Sequence, residues 1–144
     1  MQEKFNLSLH NARAVIGFAI AFMAIGLLLE LYLLDHYEGL FQLIPLICVS
    51  LNLLLAVYFL FRYNTLLMKV FKVSLVLNAL SGFYGIFLHL KANYEFEKEI
   101  SPGLDGMDLF MEMASGALPS LAPGSLILLS LIGYSYILLI KQKR

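Results

Sequence analysis

The sequence predicts an all-α membrane protein: four antiparallel transmembrane helices in a bundle, with a short amphipathic helix in the outer loop. Three observations carry this expectation. Of the 144 residues, 60% are hydrophobic and only 14% are charged, whereas a soluble domain has about 45–50% apolar and about 25% charged residues. Four stretches are apolar over the roughly 20 residues a helix needs to cross a hydrocarbon core about 30 Å thick. The basic residues fall almost entirely on one side of those stretches.

The first span covers about residues 14–34, AVIGFAIAFMAIGLLLELYLL. A cleaved signal peptide is the competing reading, but the apolar run outlasts the usual h-region of about 7–15 residues. The small-residue pattern at Ala19 and Ala21 is followed by more apolar sequence. The span is therefore expected to be retained. The second covers about 40–61 and the third about 66–90, with Lys69 and Lys72 in its first turns. Lysine stems snorkel back to the headgroups, so these two fit one end of a span. The fourth covers about 118–140 and opens on Pro119 and Pro123. Proline is best tolerated in a first helical turn.

The links between spans one, two and three are only a few residues long, which implies antiparallel neighbours. The one long connection, 91–117, has helix-start signals at Ser101-Pro102 and Asp105. From there Asp105, Asp108 and Glu112 share one helical face, and Leu104, Met107, Met111 and Ala114 another. A short helix from near Asp105 to near Gly116 is expected at the membrane interface, with the two methionines toward membrane or protein. The whole chain, 1–144, reads as a single transmembrane domain without an internal repeat.

Orientation follows the basic residues. With both termini cytoplasmic, Lys4, Arg13, Arg62, Lys69, Lys72, Lys141, Lys143 and Arg144, eight of the ten, lie inside, and only Lys91 and Lys98 lie outside. The expected location is the cytoplasmic (inner) membrane. Net charge is zero and there is no basic patch to neutralise phosphates, which argues against nucleic acid as a partner. The single cysteine, Cys48, excludes an internal disulfide and a cysteine-based zinc site. No Walker loop, dinucleotide fingerprint, Cys-x-x-Cys pair or Gly-x-Ser-x-Gly elbow is present.

Lipid is as apolar as leucine, so small and polar residues mark the inward faces. Span three carries the clearest stripe: Ser74, Asn78, Ser81 and Gly82, Gly85, His89, then Asn93. Span one offers Ala19, Gly26, Glu30, Leu33 and Tyr37; span two, Pro45, Cys48 and Asn52; span four, Gly124, Ser130 and Gly133. Asn52 and Asn78 are expected to hydrogen-bond across helices near mid-membrane.

Glu30 is the most informative residue, because an acid inside a span is costly and usually functional. The topology puts His36 and His89 at the same outer face. Imidazole with carboxylate is a common ligand set for transition metals and a general acid/base set near neutral pH. The first expectation is thus a polar site at the outer face, with Glu30, His36 and His89 as metal ligands and Asn52, Asn78 and Asn93 in support. Glu30–His89 is the leading pair and His36 a third member. A transition metal is the preferred occupant; haem held by His36 and His89 is a variant. The second expectation is a non-catalytic accessory or assembly subunit of a larger membrane complex, or a homo-oligomer. The third is a small enzyme acting on a lipid or quinone through Glu30 or a histidine, with a metal-bound water.

The run Glu30-Leu31-Tyr32-Leu33-Leu34-Asp35-His36-Tyr37-Glu38-Gly39, with Leu88-His89 and Leu121-Ala122-Pro123-Gly124, resembles small uncharacterised bacterial four-span membrane proteins. The resemblance covers most of the chain and implies no activity.

Overall fold

Helix formation follows the absence of breakers. In a computed structural model describing residues 2–142, with side chains from residue 7 onward, the first helix, α1 (Gln2–Leu33), starts well before the apolar run. No glycine or proline precedes Gly17 to stop it. Four more helices follow: α2 (Leu40–Phe61), α3 (Thr65–Ile100), α4 (Gly106–Ser115) and α5 (Gly124–Gln142). No strand occurs among the described residues. α1, α2, α3 and α5 are long and apolar enough to cross a membrane. Glu3, Lys4, Lys143 and Arg144, which enter the charge asymmetry, lie outside the described side chains.

Two boundaries differ from the expected spans in an instructive way. α3 continues past residue 90 to Ile100, because nothing breaks it before Pro102. The supposed loop 91–117 is therefore largely helical. α5 starts at Gly124, not near 118. A proline disfavours the helical conformation of the residue before it, so Pro119 and Pro123 hold Leu118 and Ala122 out of a helix. The chain from Gly116 to Pro123 runs instead through tight turns, with Ala122 N–H donating to Pro119 O at 3.1 Å and Gly124 N–H to Leu121 O at 2.9 Å.

The links are locally satisfied. Asn64 caps α3, its side-chain oxygen accepting from Leu66 N at 2.8 Å and Leu67 N at 3.0 Å. At the start of α2, Gln42 reaches back to accept from Gly39 N at 3.0 Å. Pro45, one turn further in, leaves one backbone carbonyl of α2 without its helical donor.

The four long helices pack around one core: α1 against α2 and α5, α3 against α2 and α5, and α2 against α5. Ile20 and Ala24 of α1 meet Val49, Phe59, Phe71, Leu129 and Tyr136 there. Phe59 stacks on Phe71 with ring centroids 5.8 Å apart. Small residues set the closest approaches. A Cβ on Gly82 would lie 2.8 Å from the carbonyl oxygen of Pro123, so α3 meets the start of α5 backbone to backbone.

The small-residue stripes of α2, α3 and α5 face inward, as expected: Cys48, Asn52, Asn78, Gly82, Ser130 and Gly133 are all buried. The stripe of α1 does not. Its buried face is Gly17, Ile20, Ala24 and Leu27, while Gly26, Glu30, Leu33 and Tyr37 are exposed. Nothing lies within 4 Å of a Cβ built on Gly26. The interior selects the bulkier apolar line of α1, and its Gly26–Glu30 line is left outward.

Candidate functional site

The polar residues of interest gather at the end where α1 stops, α2 starts, and α4 caps α3. His36 reaches this cluster through the way α1 terminates. His36 N–H donates to Leu31 O at 2.9 Å and Asp35 N–H to Tyr32 O at 3.1 Å. These are the two nested bonds of a Schellman motif. Such a motif needs a left-handed residue, and Asp35 supplies it with φ 53°, a conformation aspartate tolerates better than most residues. The turn folds the chain back directly after the helix. Gly39 sits at the other end of the link, in extended conformation. Tyr37 closes the turn: its hydroxyl donates to Asp35 Oδ1 at 2.7 Å, and its ring stacks on Tyr32 with centroids 5.7 Å apart. The hydrogen bond to the Asp35 carboxylate, with the negative charge behind it, raises the Tyr37 pKa above the ordinary tyrosine value.

This turn brings His36 against His89 of α3, edge to face, with ring centroids 6.4 Å apart. His89 Nδ1 lies 3.0 Å from Pro119 O. A carbonyl only accepts, so Nδ1 carries a proton, and Nε2 is the ring nitrogen left to face other partners. His36 Nδ1 is buried and has no hydrogen-bond partner. His36, the expected third member, sits beside His89, while Glu30 is exposed on α1. The three-ligand metal site is not assembled. Among the described residues, no group of three or more His, Cys, Asp or Glu side chains is placed to share an ion. The rotation of α1 is the reason, because it turns Glu30 to the outside while the link carries His36 inward.

Glu30 lines an open groove of about 660 Å³ with Pro119, Ser120, Leu121, Ser125 and Leu128. The groove runs between α1 and the start of α5. Leu121 and Leu128 are themselves 78% and 51% exposed, so the carboxylate stands on an apolar outer surface.

Asn93 is only 2% exposed and holds the connection to α5 in place. Its Nδ2 donates to Leu118 O at 2.8 Å, Met113 O at 3.0 Å and Ser120 Oγ at 3.1 Å. Its Oδ1 accepts from Leu118 N at 3.0 Å. Gly116 lies so close that a Cβ there would be 2.7 Å from Asn93 Cγ. One carboxamide thus ties the end of α4 and the turn after it to α3. The sequence marked Asn93 as polar support; the partners at Leu118 and Ser120 carried no signal in spacing.

α4 runs from Gly106 to Ser115, with Asp105 before it and Gly116 after it, so the expected helix and its limits are both met. Met107 and Met111 are 72% and 58% exposed. Leu109 and Met113 are the less exposed apolar residues of α4.

Asn78 hydrogen-bonds across helices as expected, and Asn52 does not. Asn78 Nδ2 donates to Leu126 O at 2.8 Å and to Ser130 Oγ at 3.0 Å, both on α5. Asn52 is fully buried, and neither of its amide atoms has a partner.

No protein-family profile, no curated protein and no solved structure matches this chain.

Proposed function

We propose that this chain is a four-span integral membrane protein of the inner membrane, an antiparallel bundle with both termini cytoplasmic. We propose further that it serves as a non-catalytic subunit of a larger membrane complex. The insertion is supported by the girth of exposed apolar side chains, among them Leu40, Phe61 and Phe22 at 83%, 81% and 79%. Such a surface is a liability in water and ordinary in lipid. The orientation is supported by the charges. Arg13, at one end, donates to Leu60 O at 2.7 Å, and the Lys72 side chain meets Lys141 at that same end. Lys91 and Lys98 lie with the acids at the other.

The subunit role rests on Glu30. A carboxylate about one turn from the end of a span is costly against lipid. It stands on the outward face of α1 one turn beyond Gly26, whose surface is open. Small residues let a second helix approach, and a polar atom rewards it with a hydrogen bond. The partner is therefore a transmembrane helix presenting a hydrogen-bond donor or cation near the outer face.

Detergent-free extraction from source membranes tests this. The chain is expected within a particle containing other spans, and Glu30→Gln or Gly26→Leu is expected to release it. A lone monomer, or a homo-oligomer of this chain, contradicts the subunit role.

A second reading is a transition-metal site on His36 and His89, favoured by the orphaned His36 Nδ1 and the backbone hydrogen bond of His89. Metal-bound histidines commonly donate their other ring nitrogen to a backbone carbonyl. A tetrahedral ion held by both rings would place their centroids about 5 Å apart, a small closure from 6.4 Å. Water or a partner residue would complete the shell. Calorimetric titration of zinc into nanodisc-held protein tests it. Binding is expected to fall at least tenfold in both His36→Asn and His89→Asn, and to survive in Glu30→Gln. Equal binding by wild type and both histidine variants contradicts it.

A further inference from the structure

The middle of the helix packing holds polar atoms that the chain itself leaves unsatisfied. Asn52 and Asn78 are fully buried, and Ser74 is 2% exposed. Among the described residues, Asn52 Nδ2, Asn52 Oδ1, Ser74 Oγ and Asn78 Oδ1 all lack hydrogen-bond partners.

The two asparagines lie at about one level, with Ser74 one turn away. Phe59 of α2 and Phe71 of α3 stack on each other. Asn52 lies seven residues before Phe59 and Asn78 seven residues after Phe71, two helical turns from the same stacked pair. α2 and α3 are joined by the three-residue link 62–64 and pack along their lengths, so both asparagines stand at the same height. Ser74 is on the Asn78 face, one turn nearer the link.

The neighbouring polar groups are already committed. Ser130 Oγ accepts from Asn78 and donates to Leu126 O at 2.9 Å. The Tyr136 hydroxyl donates to Ala56 O at 3.3 Å. The orientation of the Asn78 amide is fixed, since only its nitrogen can donate to the Leu126 carbonyl, and Oδ1 must face away.

The orphans are of mixed kind. Asn52 Nδ2 needs an acceptor, the two Oδ1 atoms need donors, and Ser74 Oγ takes either. A bare cation would leave the Asn52 amide protons unsatisfied. An anion would leave the carbonyl oxygens so. A buried site with two to four polar partners is where an internal water is held, and unpaired polar groups cost most inside a bilayer.

We propose that Asn52, Ser74 and Asn78 form an internal water-binding site at the centre of the membrane bundle, a small neutral ligand that both donates and accepts. The site is independent of the partner and metal readings above.

Solid-state NMR of the full chain in lipid bilayers tests this through water-edited transfer. Magnetisation from water is expected to reach the Asn52 side-chain amide as fast as it reaches exposed backbone amides, while apolar core residues such as Phe59 receive none directly. Asn52→Leu is expected to abolish transfer to the Ser74 and Asn78 side chains while the helix backbone shifts persist. Absence of transfer to the wild-type Asn52 amide overturns the proposal, as does a direct Asn52–Asn78 hydrogen bond in a dry core. The wild-type measurement decides even if the variant fails to fold.

Discussion

Asn93 and Asn52 are the same residue type in the same burial class, and the chain treats them oppositely. Asn93 stands at the end of the helix packing, where α3 meets a non-helical segment. It makes four hydrogen bonds, three to that segment and one to Met113 O in the last turn of α4. Asn52 stands in mid-helix, and it makes none among the described residues. The difference lies in backbone supply. Irregular chain offers both amides and carbonyls to a side chain, whereas regular helix offers only the second lone pair of a carbonyl, as Leu126 O does to Asn78. A buried carboxamide near a helix end is thus a fastener, and one in mid-bundle finds few backbone partners and looks to a stray carbonyl, another side chain or a bound molecule.

The largest expected effect breaks the fastener. Asn93→Ala removes four bonds and strands the Leu118 amide and carbonyl, a loss of about 3 kcal/mol. Hydrogen exchange across residues 113–120 is expected to accelerate sharply. Asn93→Asp is expected to fare no better, because it keeps the acceptor and loses every donor. Asn52→Leu sharpens the contrast. It breaks no bond to the protein and removes two buried orphans, so its stability is expected within about 1 kcal/mol of wild type. Equal destabilisation by Asn93→Ala and Asn52→Leu in reversible unfolding would contradict the comparison.

Gly116→Ala acts on the same fastener from the other side. The new methyl would lie 2.7 Å from Asn93 Cγ, and the overpacking is expected to cost about 1–3 kcal/mol. Gly26→Ala, which meets nothing within 4 Å, is the matched control and is expected to leave the fold intact.

How much of this was legible in sequence depended on what fixes each feature. The helices and α4 followed from apolar run length and from Asp105 and Gly116, which are local signals. The inward stripes of α2, α3 and α5 were readable because each carries asparagine or small residues where backbones meet. α1 misled because it has two small-residue lines, Gly17–Ala24 and Gly26–Glu30. Only packing against Leu60 and Tyr136 chooses between them, and that choice is not encoded in α1 alone. His36 was placed by the left-handed Asp35. An aspartate after a helix is compatible with several turns, so its role became visible only in the backbone. That Asn78 bonds across helices was expected, but which partners it takes, Leu126 O and Ser130 Oγ of α5, depended on the rotation of α5.

Smaller effects test the turn that carries His36. Asp35→Ala places a less tolerant residue at φ 53° and is expected to cost about 1 kcal/mol. Asp35→Gly fits that backbone and is expected to be milder. Tyr37→Phe is expected to change least. The Tyr37 pKa is raised by Asp35, so its contribution is fully present below the ordinary tyrosine value near 10. It is lost only as pH rises through the higher folded value. Stability curves of wild type and Tyr37→Phe are therefore expected to run parallel from pH 6 to about 9 and to converge above that.

The outward face of α1 carries the central claim, and a spin label at Gly26 reads it directly. The site accepts a side chain without touching the chain's own atoms, and Cys48→Ala removes the native thiol. Oxygen accessibility of the Gly26→Cys label is measured in source membranes and again in the purified chain in nanodiscs. A partner helix over Gly26 and Glu30 predicts low accessibility in source membranes and a several-fold rise to lipid-exposed values once the chain is alone. High accessibility in both settings would mean that this face meets only lipid, and would contradict the subunit role.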